Sequence, residues 1–352
     1  MIEEVAERVW ARPEFQAEYR RLLRRSIQEY VRVDGDMDEV GEGALVRLLQ
    51  SATHFAGSTS AERKEAAYRI ASCSWALFGV RYQESLRDPL YVIFGRLGNF
   101  PATQLLFRDL GEVTPGLRSM LPGEGLGKAI WMEIKSREMN NEVLVTAERI
   151  LTLTDFQRRL WEALSTGRSA TVTAPTSAGK SFALQYYLGS RLASAGDFLG
   201  LYIVPTRSLI HQVSTTLRGI AQELTGAEPQ VVTVPLGPED ARMRSGIYVL
   251  TQERLQILLE LAPSIRFDMV VVDEAQTIAS DSRGIILHTV IERLYATGPT
   301  QFLFSSPTAA NPQVFAGLFG LGGAQQIDEV ESPVAQNLIF LDADTTFLRL
   351  VR

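Results

Sequence analysis

The sequence predicts an α/β protein in which a mainly parallel sheet follows an all-helical region. Residues 1–150 carry apolar positions spaced three and four apart, which is typical of one buried helical face. From about residue 151, short β-branched and aromatic runs alternate with helical stretches. This alternation favours right-handed crossovers and strands that are buried on both faces of the sheet.

Two segments of the helical region carry its main helical signals. The first is an apolar stripe formed by Phe15, Tyr19, Leu22, Leu23, Ile27 and Tyr30. The second begins at residues 59–62, whose Thr-Ser-Ala-Glu sequence has the spacing of a capping box and opens a helix to about Phe78. Pro89 is one of several prolines that punctuate the rest. Residues 1–150 show no catalytic constellation, so we expect an accessory region with a structural or protein-binding role, with nucleic-acid guidance as the alternative.

Six apolar runs are predicted as strands of the sheet. They span residues 170–174, 199–204, 230–234, 247–250, 269–272 and 302–304. The helices predicted between them span residues 207–224, 253–261 and 284–295. In a parallel sheet of this kind, ligands bind beyond the carboxyl ends of the strands. The residues that follow each run are therefore the candidates for a functional site.

Composition narrows the class of protein. The 352 residues are 45% hydrophobic and 22% charged, and no apolar run reaches the ~18 residues that a membrane-spanning helix needs. A single cysteine, Cys73, and the lack of an apolar signal sequence at the start favour a cytoplasmic protein without a membrane partner. The net charge of −6 gives no global signature of nucleic-acid binding, but it is compatible with a local basic track.

A loop of small residues follows the first predicted strand. Residues 171–181 read Thr-Val-Thr-Ala-Pro-Thr-Ser-Ala-Gly-Lys-Ser, in the order strand, loop and helix start. Backbone N–H groups in such a loop can bind a phosphate, the lysine can reach the β- and γ-phosphates, and the serine can bind Mg²⁺. This pattern predicts an ATP site with its Mg²⁺. The predicted cofactor-binding residues of the loop are Pro175, Thr176, Ser177, Ala178, Gly179, Lys180 and Ser181.

The lysine of this loop is isolated from the other lysines of the chain. Lys180 is the sole lysine after Lys135, whereas arginine supplies the other positive charge of the C-terminal half. A chance Gly-Lys-Ser before a helix is the alternative interpretation. The isolated lysine and the preceding strand both weigh against it.

Two carboxylates end the buried strand at residues 269–272. Asp273 and Glu274 follow Val270, Val271 and Val272 directly. An acidic pair at the edge of a dry sheet is costly unless a cation compensates it. We therefore predict that Asp273 holds Mg²⁺, as Ser181 does, and that Glu274 takes a proton from an attacking water. The predicted catalytic residues are Lys180, Asp273 and Glu274.

These motifs resemble those of the superfamily 2 helicases, in the branch with DEAD, DEAH and Ski-like members. Residues 174–181 are similar to motif I, and the Asp-Glu-Ala-Gln of residues 273–276 is similar to motif II, with Gln276 where the group usually has Asp or His. The resemblance covers residues 151–311. It implies a P-loop NTPase domain of RecA-like fold and ATP-driven movement on single-stranded or duplex DNA or RNA.

Two further stretches resemble the turns with which these helicases touch a nucleic-acid backbone. Residues 204–212 look like motif Ia, with Thr206 and Arg207 at a strand-to-helix turn. Residues 251–255 look like motif Ib, with Thr251 and Arg254 at another. A helix N-terminus with these side chains can bind phosphate on physical grounds as well. A helix cap with a surface arginine is the structural alternative at both turns.

The remaining motifs concern coupling and the adenine base. Residues 305–311 look like motif III, in which Ser306 and Thr308 would couple hydrolysis to movement and Pro307 is a departure from the usual alanine. Gln157, which lies 23 residues before Lys180, resembles the glutamine with which the family reads adenine. A glutamine amide can donate to one adenine atom and accept from another.

The resemblance also predicts how the chain is organised. The expected parts are a helical accessory domain at residues 1–150, a first RecA-like domain at residues 151–330 and a linker strand at residues 331–352 that leads toward a second RecA-like domain. Helicases of this group close the ATP site with that second domain. We therefore expect the 352 residues alone to bind ATP weakly, to hydrolyse it very slowly and not to unwind a duplex. An ATP-responsive nucleic-acid clamp that never translocates is the alternative function.

Overall fold

The computed structural model describes residues 2–31, 38–106, 127–147, 149–194, 196–235, 245–279, 282–298, 300–307, 313–321, 323–329, 339–341 and 348–350. The chain divides into two compact units, one of Met1–Asn141 with Glu331–Arg352 and the other of Glu142–Val330. The division therefore begins the second unit nine residues before the expected position at residue 151. Among the described residues, no helix combines the length and the apolar character that crossing a membrane requires.

The described elements of the first unit are helices up to residue 141. They are α1 (Ile2–Trp10), α2 (Pro13–Val31), α3 (Glu42–Phe55), α4 (Ala61–Arg96), α5 (Phe100–Leu106) and α6 (Lys128–Asn140). The apolar stripe of α2 packs into the core of this unit through Phe15, Tyr19 and Leu22, which are at most 6% exposed. The stripe does not extend to Tyr30, which is 84% exposed. The prediction for that residue was wrong because the contacts of α2 with the core end before its last turn.

Helix α4 differs from its prediction at both ends. Its N-cap is Ser60, whose hydroxyl accepts the Arg63 N–H, so the capping residue lies one position after the predicted Thr59. The helix continues to Arg96 through Pro89, with a break in helical geometry at Tyr82. Leu86, Leu90 and Ile93 are buried at three- and four-residue spacing beyond that break. Their burial offsets the hydrogen bond that proline cannot make.

The second unit contains a seven-stranded parallel sheet. Its strands are β3 (Ala170–Thr173), β4 (Leu199–Ile203), β5 (Val231–Val232), β6 (Gly246–Leu250), β7 (Met269–Val272), β8 (Gln301–Ser306) and β9 (Gln325–Asp328). Their order across the sheet is β5-β6-β4-β7-β8-β3-β9, and every neighbouring pair is parallel. The prediction of a mainly parallel α/β fold after a helical region is confirmed. Strand β9 lacked a predicted counterpart, because its sequence is polar and only Ile327 is buried.

Helices connect these strands and cover the two faces of the sheet. They are α7 (Asp155–Ser165), α8 (Lys180–Ser194), α9 (Arg207–Thr225), α10 (Gln252–Leu261), α11 (Ser282–Ala296) and α12 (Gln313–Leu318). One core includes Leu160, Leu184 and Leu217, and the other includes Leu255, Leu258 and Val290. Consecutive residues of β4 enter different cores, since Leu201 lies in the second core and Tyr202 in the first. The strand is therefore buried on both sides, as its apolar sequence predicts.

Two antiparallel hairpins complete the described elements. Strands β1 (Glu142–Thr146) and β2 (Arg149–Thr152) pair where the sequence analysis expected helix. Burial alternates along β1, with Val143 and Val145 inside and Leu144 outside, and this period of two belongs to a strand. Strands β10 (Ile339–Leu341) and β11 (Leu348–Leu350) also pair. The rest of the predicted linker strand lies outside the described residues.

Candidate nucleotide site

The phosphate loop is built by the end of β3 and the start of α8. Strand β3 stops at Thr173, and a short 3₁₀ turn over Thr176–Ala178 leads to Gly179. Gly179 has φ 76°, which favours glycine because a Cβ would be crowded in this region. A Cβ there would also collide with Nε2 of Gln157. The loop therefore turns into α8 by a path that requires glycine at residue 179.

Lys180 lies folded over this loop. Its side chain is 5% exposed, and Nζ donates to the carbonyl of Ala174 and, at 3.0 Å, to that of Pro175. Burial lowers the pKa of Lys180, whereas the nearby charges of Asp273 and Glu274 raise it. The lysine and both carboxylates therefore lie near enough at one end of the sheet to interact electrostatically. This proximity is the arrangement on which the predicted ATP site depends.

Asp273 is held at two oxygens. Its Oδ1 accepts the N–H of Glu274 at 3.1 Å, and its Oδ2 accepts the hydroxyl of Tyr202 at 3.0 Å. Burial raises the pKa of Asp273 and the charge of Glu274 adds to that rise, whereas the hydrogen bonds from the Tyr202 hydroxyl and the Glu274 N–H oppose it. The carboxylate can change partners only at a cost, because it is mostly removed from water and already hydrogen-bonded.

Glu274 occupies a strained backbone position. It is the one non-glycine residue with positive φ in the described part of the chain, at 54°. Residues other than glycine seldom take this conformation, and it is often found at functional sites. The carboxylate of Glu274 accepts a hydrogen bond from the side-chain amide of Gln276. The unusual glutamine of the Asp-Glu-Ala-Gln motif therefore holds the predicted base directly.

The predicted metal ligands lie around one buried hydroxyl. Tyr202 is fully buried, and its hydroxyl donates to Asp273. Burial raises the pKa of Tyr202, and the side chains of Ser181 and Gln185 oppose that rise, so Ser181 lies near the same hydroxyl. A serine hydroxyl and a carboxylate are the hard oxygen donors that Mg²⁺ prefers, so the residues present fit the ion.

Gln157 is engaged by the protein on both ends of its amide. Its Oε1 accepts the N–H of Thr154 at 3.0 Å in a capping box at the start of α7, and its Nε2 donates to the carbonyl of Gly179 at 3.4 Å. The side chain is 6% exposed. The structure therefore places Gln157 beside the phosphate loop but commits its amide to backbone groups. Adenine reading by this residue stays a prediction.

The turns predicted to bind nucleic acid lie at the ends of adjacent strands. Ile203 of β4 pairs with Leu250 of β6, so the turn after each strand emerges at the same edge. Thr206 and Arg207 are exposed at the start of α9, and the Thr206 hydroxyl pairs with Ser208 at 3.0 Å instead of capping the helix. The first N–H groups of α9 therefore have no side-chain cap and can face an anion.

The second turn uses its side chains for local structure. Thr251 is 2% exposed, and its hydroxyl caps α10 by accepting the Arg254 N–H. The guanidinium of Arg254 donates to the carbonyl of Thr233. These contacts favour the helix-cap alternative for the Thr251 side chain. Contact of Thr251 and Arg254 with nucleic acid stays a prediction.

The coupling motif is only partly described. Ser306 ends β8 beside Thr173 of the phosphate-loop strand, as their register shows. The N–H of Ala174 donates to the Ser306 carbonyl at 3.2 Å, so the two segments are joined through their backbones. Thr308 lies outside the described residues. A coupling role for this segment therefore stays a prediction.

Three residues of the site were missed in the sequence analysis. Tyr202 donates to the metal-ligand candidate Asp273, Gln185 lowers the pKa of Tyr202 against the larger rise from burial, and Arg283 bonds the carbonyl of Pro205 and, at 2.9 Å, the carboxylate of Glu253. Tyr202 had a detectable signal, since a hydroxyl occurs in a strand that is otherwise aliphatic, Leu-Gly-Leu-Tyr-Ile. Arg283 had none, because its partners are 78 and 30 residues away in the chain.

The sheet and the loop together define a class of protein. A parallel sheet with a phosphate loop after β3, an acidic pair after β7 and a buried lysine between them is a P-loop NTPase domain of RecA-like fold. Its motifs all lie at the carboxyl ends of strands, where such folds bind ligands.

Comparison with known proteins finds a family model that matches part of the chain. Residues 154–315 match the family DEAD/DEAH box helicase. The ATP-dependent DNA helicase Hel308 of Aeropyrum pernix is 27% identical over 157 residues, which cover 44% of this chain and 21% of that protein. The Mycobacterium leprae protein named "Probable helicase HelY" is 30% identical over 175 residues, which cover 49% of this chain and 18% of that protein. The chain thus spans about a fifth of the length of these two relatives.

A solved structure is also similar over half of the chain. The DEAD-box helicase Mss116 bound to ssRNA and UDP-BeF has a TM-score of 0.44 at 21% identity, and the match covers 50% of this chain and 40% of that chain. On the family match and the relatives, the chain contains a DEAD/DEAH box helicase domain with superfamily 2 homologues of the Hel308 and HelY kind. The resemblance that the motifs indicated is confirmed for this domain.

Proposed function

We propose that this chain provides the ATP-binding motor domain of an ATP-dependent nucleic-acid helicase. The observation that carries the proposal is that β3 and β7 end at the same edge of one parallel sheet, where they are followed by the loop with Lys180 and by Asp273 and Glu274. The family match over residues 154–315 and the named activities of the relatives support it. An unrelated P-loop enzyme would have no need of two further turns that resemble the nucleic-acid-binding motifs of helicases.

Each residue of the site has a role in the proposed reaction. Lys180 neutralises the β- and γ-phosphates, Ser181 and Asp273 hold Mg²⁺, and Glu274 accepts a proton from the attacking water. Bound Mg²⁺ supplies charge stabilisation to the transferring phosphoryl group. Thr206 and Arg207 bind the phosphates of a nucleic-acid strand at the exposed start of α9, which gives affinity without sequence preference.

Nucleotide binding and nucleic-acid stimulation test the proposal. The chain should bind ADP with Mg²⁺ in isothermal titration. Its ATPase, measured in the longest form that its host expresses, should rise on addition of single-stranded DNA or RNA. Duplexes with either overhang then identify the strand and the polarity. A chain that binds no nucleotide contradicts the proposal, whereas ATPase that ignores every nucleic acid that the protein binds supports the non-translocating clamp instead.

A further inference from the structure

We propose that Tyr202 is a positioning residue for the Mg²⁺ site, because its hydroxyl holds the Asp273 carboxylate in place for the ion. The inference rests on the proposed function, since it assigns a role within the same nucleotide site. It goes beyond the phosphate-loop and Asp-Glu motifs, neither of which contains Tyr202.

The first contact is between Tyr202 and Asp273. The phenol donates to Oδ2 at 3.0 Å, and the Glu274 N–H donates to Oδ1 at 3.1 Å. With a donor on each oxygen, the carboxylate cannot rotate without breaking a hydrogen bond. Each oxygen keeps a further lone pair that can face a cation.

A second interaction links Tyr202 to the phosphate-loop helix. A tyrosine hydroxyl has one hydrogen, and Tyr202 gives it to Asp273. Burial and the charge of Asp273 raise the pKa of Tyr202, and the side chains of Ser181 and Gln185 oppose that rise, as groups that can donate to this hydroxyl do. A serine whose hydrogen points at Tyr202 leaves its lone pairs for a metal. The Tyr202 hydroxyl thus lies near both metal-ligand candidates, which come from α8 and from the end of β7.

Mg²⁺ makes this orientation matter. The ion requires near-octahedral geometry at short distances, so it tolerates misdirected ligands poorly. Groups that hydrogen-bond metal ligands commonly change metal affinity by about 10- to 100-fold when they are replaced. A phenylalanine would fill the same buried space without a hydroxyl that needs partners. Tyr202→Phe therefore isolates the hydroxyl from the packing of the ring.

The test compares nucleotide binding with and without metal. Wild type and Tyr202→Phe, each as the 352-residue chain, are titrated with a fluorescent ADP analogue in EDTA and over a series of MgCl₂ concentrations. Mg²⁺ should increase the ADP affinity of both proteins, and we expect the Mg²⁺ concentration that gives half of this increase to be roughly 10-fold higher for the variant. Its affinity for ADP in EDTA should stay within about twofold of wild type, since the phosphate loop itself is unchanged.

Tyr248→Phe is the matched control. Tyr248 is as fully buried as Tyr202, on the neighbouring strand β6, but belongs to the core on the other face of the sheet. Its loss of a hydroxyl should leave the Mg²⁺ dependence unchanged. In an Asp273→Asn background, Tyr202→Phe should have little further effect on Mg²⁺ dependence, because the main group through which Tyr202 acts is already altered.

Three results would overturn the inference. They are an unchanged Mg²⁺ dependence in Tyr202→Phe, an equal loss of ADP affinity with and without Mg²⁺, and the same effect from Tyr248→Phe. If Tyr202→Phe does not fold, 3-fluorotyrosine placed at residue 202 keeps the hydroxyl, and its ¹⁹F resonance should shift when Mg²⁺ is added to the ADP complex. A resonance that ignores Mg²⁺ rejects the positioning role. Failure of wild type to bind ADP at all would instead reject the proposed function.

Discussion

Lys180 and Asp273 are charged side chains that the fold has largely withdrawn from water. Burial lowers the pKa of Lys180 and raises that of Asp273, so desolvation disfavours the charged form of each. Their mutual attraction offsets part of that penalty. A nucleotide and a cation would add compensating charges to both residues. Because both side chains are charged and largely buried, a single substitution at either residue should have a measurable effect on ATPase or on stability.

Lys180→Met should remove ATP hydrolysis while leaving the fold intact. Methionine keeps most of the buried apolar stem but cannot neutralise phosphate charge. In the longest form that the host expresses, with single-stranded nucleic acid present, we expect ATPase to fall by roughly 100-fold or more, as when other transition-state charge contacts are deleted. Lys128→Met, at an exposed residue, serves as the control and should retain wild-type activity in a phosphate-release assay. Equal activity in both variants would show that Lys180 does not contact the phosphates.

Asp273→Asn should change stability in a way that depends on pH. Folding raises the pKa of Asp273, so ionisation of this carboxyl destabilises the fold. That cost is absent well below the ordinary value of 3.8 and complete above the raised value. The melting temperature of the variant relative to wild type should therefore increase as pH rises through the raised pKa. Differential scanning fluorimetry without nucleotide or metal measures this difference.

An exposed carboxyl is the control for that experiment. Asp197 lies on an exposed turn, so Asp197→Asn should give a difference from wild type that stays nearly flat over the same pH range. A flat profile for Asp273→Asn as well would mean that burial does not govern its ionisation.

At the scale of secondary-structure elements, helix α11 is packed closely over the turn that carries the acidic pair. The 3₁₀ turn Ala275–Ala279 follows Glu274, and the start of α11 approaches its backbone at Gly284. A Cβ at Gly284 would lie 2.5 Å from the carbonyl oxygen of Ile278. Because the obstacle is backbone, the helix itself would have to move.

Gly284→Ala should therefore destabilise the protein and lower its ATPase. Overpacking of this kind costs about 1–3 kcal/mol, and the shift would displace the turn next to Glu274. Gly219→Ala is the matched control, since Gly219 lies within α9 and a Cβ there meets nothing within 4 Å. That change should stabilise the protein by ~0.5–1 kcal/mol, because alanine favours helix more than glycine does. Urea unfolding of the two variants compares them, and shifts of the same sign would contradict the packing argument.

Arg283 joins α11 to both turns that are predicted to bind nucleic acid. Its guanidinium donates to the carbonyl of Pro205, before α9, and to the carboxylate of Glu253, in the first turn of α10. The pair with Glu253 is half exposed and contributes little stability. The two bonds of Arg283 instead fix the position of both turns relative to α11, the helix that follows the acidic pair.

Arg283→Ala should weaken binding of single-stranded nucleic acid and spare ADP. We expect a loss of roughly 5- to 10-fold, the equivalent of about 1 kcal/mol, from misplacement of the Thr206 turn. Arg293→Ala is the control, because Arg293 lies on the same helix and makes similar bonds to Glu260 and Leu259 away from both turns. Fluorescence anisotropy with labelled oligonucleotides measures both variants. Equal losses would indicate a general effect of α11 instead.

At the scale of the whole molecule, the unit Glu142–Val330 has its own sheet and two cores. A polypeptide of residues 142–330 should therefore fold by itself and bind ADP with Mg²⁺ within a few-fold of the full chain. Circular dichroism and nucleotide titration provide the measurement. If residues 142–330 stay unfolded, or fold without binding ADP, the unit is not autonomous. A parallel polypeptide of residues 151–330 tests whether the β1–β2 hairpin is needed.

The sequence was most informative where several local signals coincide. Strand β7 is a run of apolar residues that ends in Asp273, and the loop before Lys180 combines small residues with a lone lysine, so both could be placed without a structure. It was least informative where one element depends on distant neighbours. Helix α4 passes through Pro89 because Leu90 and Ile93 are buried by other helices, and β9 forms because β3 offers it a free edge. The secondary-structure propensity of a segment indicates neither its burial by other helices nor a free strand edge beside it.

The residues alone determined the class of sheet, the phosphate loop and the acidic pair, because each depends on residue types at short, regular spacing. Only the tertiary structure showed that the Tyr202 hydroxyl donates to Asp273, that Arg283 joins two turns, and that the amide of Gln157 is bonded to backbone groups. These contacts join residues that are far apart in the chain. They form because parallel strands bring their carboxyl ends to one edge of the sheet. The separation of two residues in the sequence does not indicate which side chains come into contact there.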